Sequence, residues 1–184
     1  MPYRYSKRGG GSQFFYVHNS GYNNKSLFRT VEDYNYFVNK LAKHTISYNG
    51  DIKVIAYYLS FDSFHLVVQE ITVGTLAKMI HKLSVSYSMY FNSHYQDSGK
   101  LFKGPYKEEQ LATADAAIVK ALVLQKMPLR HSVSPASYKW SSLKDFVSGV
   151  EDQWLDTSTY LDFFKVEKSH LSRCIMDFID TMPQ

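Results

Sequence analysis

The segment Tyr58-Leu-Ser-Phe-Asp-Ser-Phe-His-Leu-Val-Val68 places a histidine where paired side chains could hold a cation. Residues i and i+2 of a β-strand point to the same face, so a His-hydrophobic-His triplet would aim two imidazoles at one point. Here the triplet reads Ser63-Phe64-His65. One imidazole holds a hard divalent ion weakly, so His65 is read as a hydrogen-bonded histidine of the sheet or a phosphate contact. His18 is a second imidazole within reach, provided that its side chain shares the face of His65.

A different chemistry is offered by Lys100, Lys103, Tyr106 and Lys107. Lysines contact phosphates, and a tyrosine ring gives an unpaired base a surface to stack on. The rival reading is a solvated edge strand whose lysines oppose aggregation. Arg4, Lys7 and Arg8 precede Gly9-Gly10-Gly11, so residues 1–12 read as a flexible basic arm able to reach into a groove, or simply as a soluble end. Arg130, just past a helix, serves either a phosphate or the helix dipole. The net charge of +4 and pI near 9.0 favour a polyanionic partner without requiring one. A single cysteine, Cys174, excludes a disulfide framework and a multi-cysteine zinc site. The sequence has no run of about 18 apolar residues and no hydrophobic signal core, so a cytoplasmic protein without membrane partners is expected.

These groups need a scaffold. Residues 14–19 read as a first strand, followed by the turn-rich Ser20-Gly-Tyr-Asn-Asn24. Thr30 offers an N-cap ahead of Glu32 and Asp33, and Val31, Tyr34, Phe37, Val38 and Leu41 form one apolar helix face. Asn49-Gly50 marks a turn into strands over 52–59 and 64–70. A long helix follows over 75–94, then an extended segment over 101–111 broken by Gly104-Pro105. Thr113 can cap a third helix that Pro128 ends near Met127. Residues 131–150 look irregular apart from Tyr138–Ser142, and Leu171, Cys174, Ile175, Phe178, Ile179 and Met182 stripe a final helix. The order β-α-β-β-α-β predicts an α+β fold: a ferredoxin-like split βαβ antiparallel sheet with helices on one face, plus a C-terminal helical extension. The other face would be free for solvent or a ligand.

Phe15-Tyr-Val-His-Asn-Ser-Gly-Tyr-Asn-Asn-Lys-Ser-Leu-Phe28 resembles the opening of the HUH single-tyrosine (IS200-like) transposases, especially the REP-associated tyrosine transposases. Gly99-Lys-Leu-Phe-Lys-Gly-Pro-Tyr-Lys107 is similar to their basic, aromatic strand, and Pro128-Leu-Arg130 and Tyr138-Lys-Trp-Ser-Ser142 to segments after their catalytic helix. The resemblance covers 13–143, which it implies is one transposase-like domain, with 144–184 an extension packed on it. It implies a DNA partner, hairpin or single-stranded, contacted by Arg4, Lys7, Arg8, Asn19, Lys100, Lys103, Tyr106, Lys107 and Arg130. It also implies a chemistry in which a helix tyrosine attacks a DNA phosphate while two histidines and a third ligand hold Mg²⁺ or Mn²⁺.

Three positions depart from that chemistry. The tyrosine position falls on Val123, the third-ligand position on Met127 and the first histidine on Ser63, leaving His65. No tyrosine lies between Tyr106 and Tyr138, so a shifted alignment cannot restore the nucleophile. The resemblance therefore implies a DNA-binding protein without an intact catalytic or metal site and with no cofactor. Two other readings stay open: a DNA-nicking transposase with a relocated tyrosine, for which Tyr57, Tyr58 and Tyr90 are the candidates, and a protein-interaction module without DNA function. The apolar stripe of the tail helix packs on the domain or forms a homodimer seam.

Overall fold

The structure, a computed structural model, describes residues 12–128, 133–148 and 153–182. The basic arm with Arg4, Lys7 and Arg8, and also Arg130, lie outside the described residues. Four strands, β1 (Gln13–Ser20), β2 (Ile52–Leu59), β3 (Ser63–Glu70) and β4 (Lys107–Leu111), form an antiparallel sheet in the order β2-β3-β1-β4. Helices α1 (Val31–Ser47) and α2 (Thr75–Tyr95) make the two crossovers of the split βαβ unit. The expected fold class is the observed one.

Local chemistry explains the helix starts. The Asp33 carboxylate accepts from the backbone N–H of Arg29 at 2.7 Å and of Thr30 at 3.1 Å, which closes the first turn of α1. The same buried carboxylate accepts from the hydroxyls of Tyr90 and Tyr95, tying α1 to α2. Thr113 caps α3 (Ala114–Gln125), its hydroxyl accepting from the Ala116 N–H at 3.1 Å. On one face of the sheet, Phe37 and Leu41 of α1 and Leu76, Ile80, Leu83 and Tyr87 of α2 pack against Phe15, Val17, Phe64, Leu66 and Val68.

The second face is less open than expected. Helix α3 lies chiefly over β2 and β3, and Ala117, Ile118, Ala121 and Leu122 bury against Ile55, Tyr58 and Val67. The reason is visible in the strands: β2 is buried at almost every position, a pattern that needs cover on both sides. Helices α4 (Leu143–Ser148), α5 (Ser158–Phe164) and α6 (Lys168–Thr181) extend this layer. The irregular reading of 131–150 thus gives way at α4, which sits on a segment hydrogen-bonded to β2 (Leu59 N–H to Trp140 O, 2.9 Å; Ser142 N–H to Tyr57 O, 3.0 Å). Leu171, Ile175 and Ile179 of α6 are buried within the chain itself. Among the described residues no helix is long and apolar enough to cross a membrane.

Two irregularities aim side chains. Between Val54 and Ala56 the β2–β3 ladder shifts by one residue, making Ile55 a bulge that packs with Ala56 and Tyr58 toward α3. The fourth extended segment is strand only over Lys107–Leu111; its earlier part crosses the end of β1, where Phe102 bridges Gly21. A Cβ at Gly21 would meet the Lys25 carbonyl oxygen at 1.8 Å, whereas one at Gly104 would meet nothing within 4 Å. Gly21→Ala should therefore cost roughly 1–3 kcal/mol in urea unfolding, and Gly104→Ala less than about 0.5 kcal/mol. Equal losses would show that the close approach at Gly21 does not constrain the fold.

Candidate nucleic-acid interface

Strand alternation sends Phe64 into the α1–α2 core and leaves Ser63 and His65 on the α3 face. The β1–β3 register sets His18 directly opposite His65, and the β1–β4 register sets Lys107 opposite His18 and Glu109 opposite Tyr16. The side-chain parity left open by the sequence is thereby resolved: His18 and His65 share a face. The rings of Tyr16, His18 and His65 lie nearly parallel, with centroids 5.1–6.1 Å apart.

A directed hydrogen-bond chain runs through His65. The Ser60 hydroxyl donates to Asp62 Oδ1 at 2.8 Å, since a carboxylate can only accept. Ser60 must then accept from Ser63 Oγ at 2.7 Å, and Ser63 in turn accepts from His65 Nε2–H at 3.0 Å. In the neutral ring this leaves Nδ1 as acceptor for the Tyr16 hydroxyl, 2.7 Å away. Burial, reinforced by His18, pushes the His65 pKa down to about 4, so this neutral form persists well below pH 7. His18 is also held below the usual histidine range, by burial and then by Lys107 and Lys120. Burial raises the Tyr16 phenol, with Glu109 adding to the shift.

The residues at the positions that resemblance assigns to a metal do not fit a divalent cation. Both ring nitrogens of His65 are engaged by Tyr16 and Ser63, and Met127 is packed against the α3-side core. Among the described residues no cluster of three His, Cys, Asp or Glu side chains could hold an ion. Val123 is 45% exposed and offers only hydrocarbon. One turn earlier on that helix row stands Lys120, a residue the sequence reading did not single out. Its ammonium lies 4.0 Å from the Tyr16 ring centroid and 3.0 Å from Glu109 Oε2.

The basic segment is pinned to the end of β1. Tyr22 N–H donates to Leu101 O at 2.8 Å, Lys103 N–H to Ser20 O at 2.8 Å, and Asn19 Nδ2 to Gly104 O at 3.0 Å. Lys100, Lys103 and Lys107 are exposed along this edge. Two expected DNA contacts are placed differently. Asn19 is buried, with its amide nitrogen on Gly104 and its oxygen accepting from Ser20 N–H, so it braces the loop. Tyr106 is half-buried and packs against the α1–α2 core instead of standing clear as a stacking platform.

The depressed His65 pKa has a measurable consequence. The unfolded chain takes up a proton near the ordinary value of about 6.5, whereas the folded site resists it until about pH 4. Stability from this residue is therefore complete above the unfolded pKa and is lost as pH falls toward the folded one. His65 should contribute about 2 kcal/mol of the stability that urea unfolding shows to be lost between pH 7 and 5, a share that disappears in His65→Asn. An unchanged acid slope in that variant would remove His65 as its source.

No family model and no curated protein matches the chain. Among solved structures it is similar to a REP-associated tyrosine transposase bound to a REP hairpin, with a TM-score of 0.60 and 11% sequence identity. The likeness covers 86% of this chain and 93% of that one. At this identity the fold is what the two proteins share: a four-stranded antiparallel sheet with its helices.

Proposed function

We propose that this chain is a relative of the REP-associated tyrosine transposases that binds hairpin or single-stranded DNA without cutting it. The observation that carries the reading is the pinned loop at the end of β1, with Lys100 and Lys103 exposed on it and Lys107 exposed where β4 begins. Exposed lysines on a hydrogen-bonded backbone suit a phosphate backbone, because the segment that carries them is ordered before binding. The likeness in fold to a transposase bound to a DNA hairpin supports the same partner. Loss of cutting follows from chemistry: valine at position 123 cannot attack a phosphate, and the remaining His65 is committed to two hydrogen bonds. In this reading residues 144–184 are an extension of the transposase-like domain.

A second reading, cleavage by a displaced tyrosine, draws on Tyr16, whose hydroxyl meets His65 Nδ1 at 2.7 Å. Burial and Glu109 both disfavour the phenolate that attack would require, so the binding reading is preferred. Labelled hairpin DNA incubated with the protein and Mn²⁺ should yield no covalent adduct; an adduct would overturn the non-cutting reading. Affinity for the same hairpin should fall as salt rises. Lys103→Ala and Lys107→Ala should each weaken binding and reduce the log–log salt slope by about 1. Absence of binding at low salt would refute the proposal, and unchanged slopes in both variants would remove this edge from the interface.

A further inference from the structure

Helix α3 packs most fully on β2, and toward the β4 edge the same face forms a strip that is half-buried along β1 and exposed along β4. Into that strip point Lys107 and Glu109 from β4, Tyr16 and His18 from β1, and Lys120 from α3. Among the described residues none hydrogen-bonds the His18 ring, which stands half-buried with Lys107 in register beside it. The charges of Lys107, Lys120 and Glu109 all act on that ring, so the four groups share one neighbourhood. The Lys120 ammonium is fixed from below by the Tyr16 ring and from the side by the Glu109 carboxylate.

From this arrangement we infer that Lys107, His18 and Lys120 form a phosphodiester subsite, with Glu109 its resident competitor. The inference rests on the DNA-binding reading and extends the contact from the exposed loop, through Lys107, onto the α3 face of the sheet. A phosphate oxygen entering the strip accepts from the two ammonium groups and from the N–H of a neutral His18. To do so it displaces Glu109 from Lys120. That exchange is accessible because the Glu109 side chain is 59% exposed, and exposed ion pairs are weak. Tyr16 keeps Lys120 over the sheet throughout, since a cation above an aromatic face needs no counterion to hold it there. Glu109 therefore lowers affinity for any phosphate while leaving the lysine in position for one.

The adjacent glutamate supplies the control. Glu108 pairs with Val17 and points to the opposite face of the sheet, yet it carries the same charge on the same strand. At low salt Glu109→Gln should tighten hairpin binding roughly five- to tenfold, and Glu108→Gln by less than about twofold. The gain from Glu109→Gln should vanish in a Lys120→Met background, because the two residues act through one ion pair. Equal gains from the two glutamate variants, or a gain that persists without Lys120, would overturn the subsite while leaving DNA binding intact. If none of the proteins binds the hairpin, the DNA-binding reading itself fails.

Discussion

The antiparallel register between β1 and β3 is the constraint on which the site depends. Pairing His18 with His65 sets which side chains meet on the α3 face, and β4 inherits the same alignment by pairing Lys107 with His18. Because strand side chains alternate, a slip of one residue would carry the entire set to the other face. The slip is prevented on the opposite side of the sheet. There Phe15, Val17, Phe64, Leu66 and Val68 are buried under α1 and α2, and shifting them would expose the apolar core. The polar site is thus held in register by residues that never touch it.

Desolvation and fixed charge act in opposite senses across this face. Where α3 covers the sheet, burial keeps His65 neutral and stitches it into a chain of hydroxyls ending on Asp62. Where the cover ends, lysines and glutamates stand in or near solvent and remain available to exchange partners. A histidine with both nitrogens committed is a structural part, whereas one with neither committed is a contact in waiting. His65 and His18 are neighbours and yet occupy these two roles.

Much of the scaffold was legible because its signals are local. Thr30 and Thr113 cap the helices that their spacing implies, and the Leu171–Ile175–Ile179 stripe is buried as its period demands. What escaped was non-local. The cover on the second face depends on where α3 lands, and α4 and α5 are too short for periodicity to announce them. Asn19 and Tyr106 have the composition of surface contacts, and only their partners, at Gly104 and in the α1–α2 core, show that they brace and pack. Lys120 carries no signal of its own in the sequence; the Tyr16 ring beneath it and Glu109 beside it set it apart.

The bulge at Ile55 has a bearing on how this chain is aligned with proteins of the same fold. On either side of it the ladder is regular, with Val54 opposite Val68 and Ala56 opposite Val67, so Ile55 is a residue that strand pairing does not count. Its side chain is counted only by the α3 layer, which it helps to fill. A protein of the same fold with a smaller helix here could omit the residue and keep every strand pair. An ungapped comparison with such a protein would then be one position out of phase on one side of Ile55, placing Tyr57 where Tyr58 belongs beside His65, or displacing the residues before the bulge. At 11% identity, a single uncounted residue of this kind is enough to scramble the assignment of faces while leaving the superposition of backbones untouched.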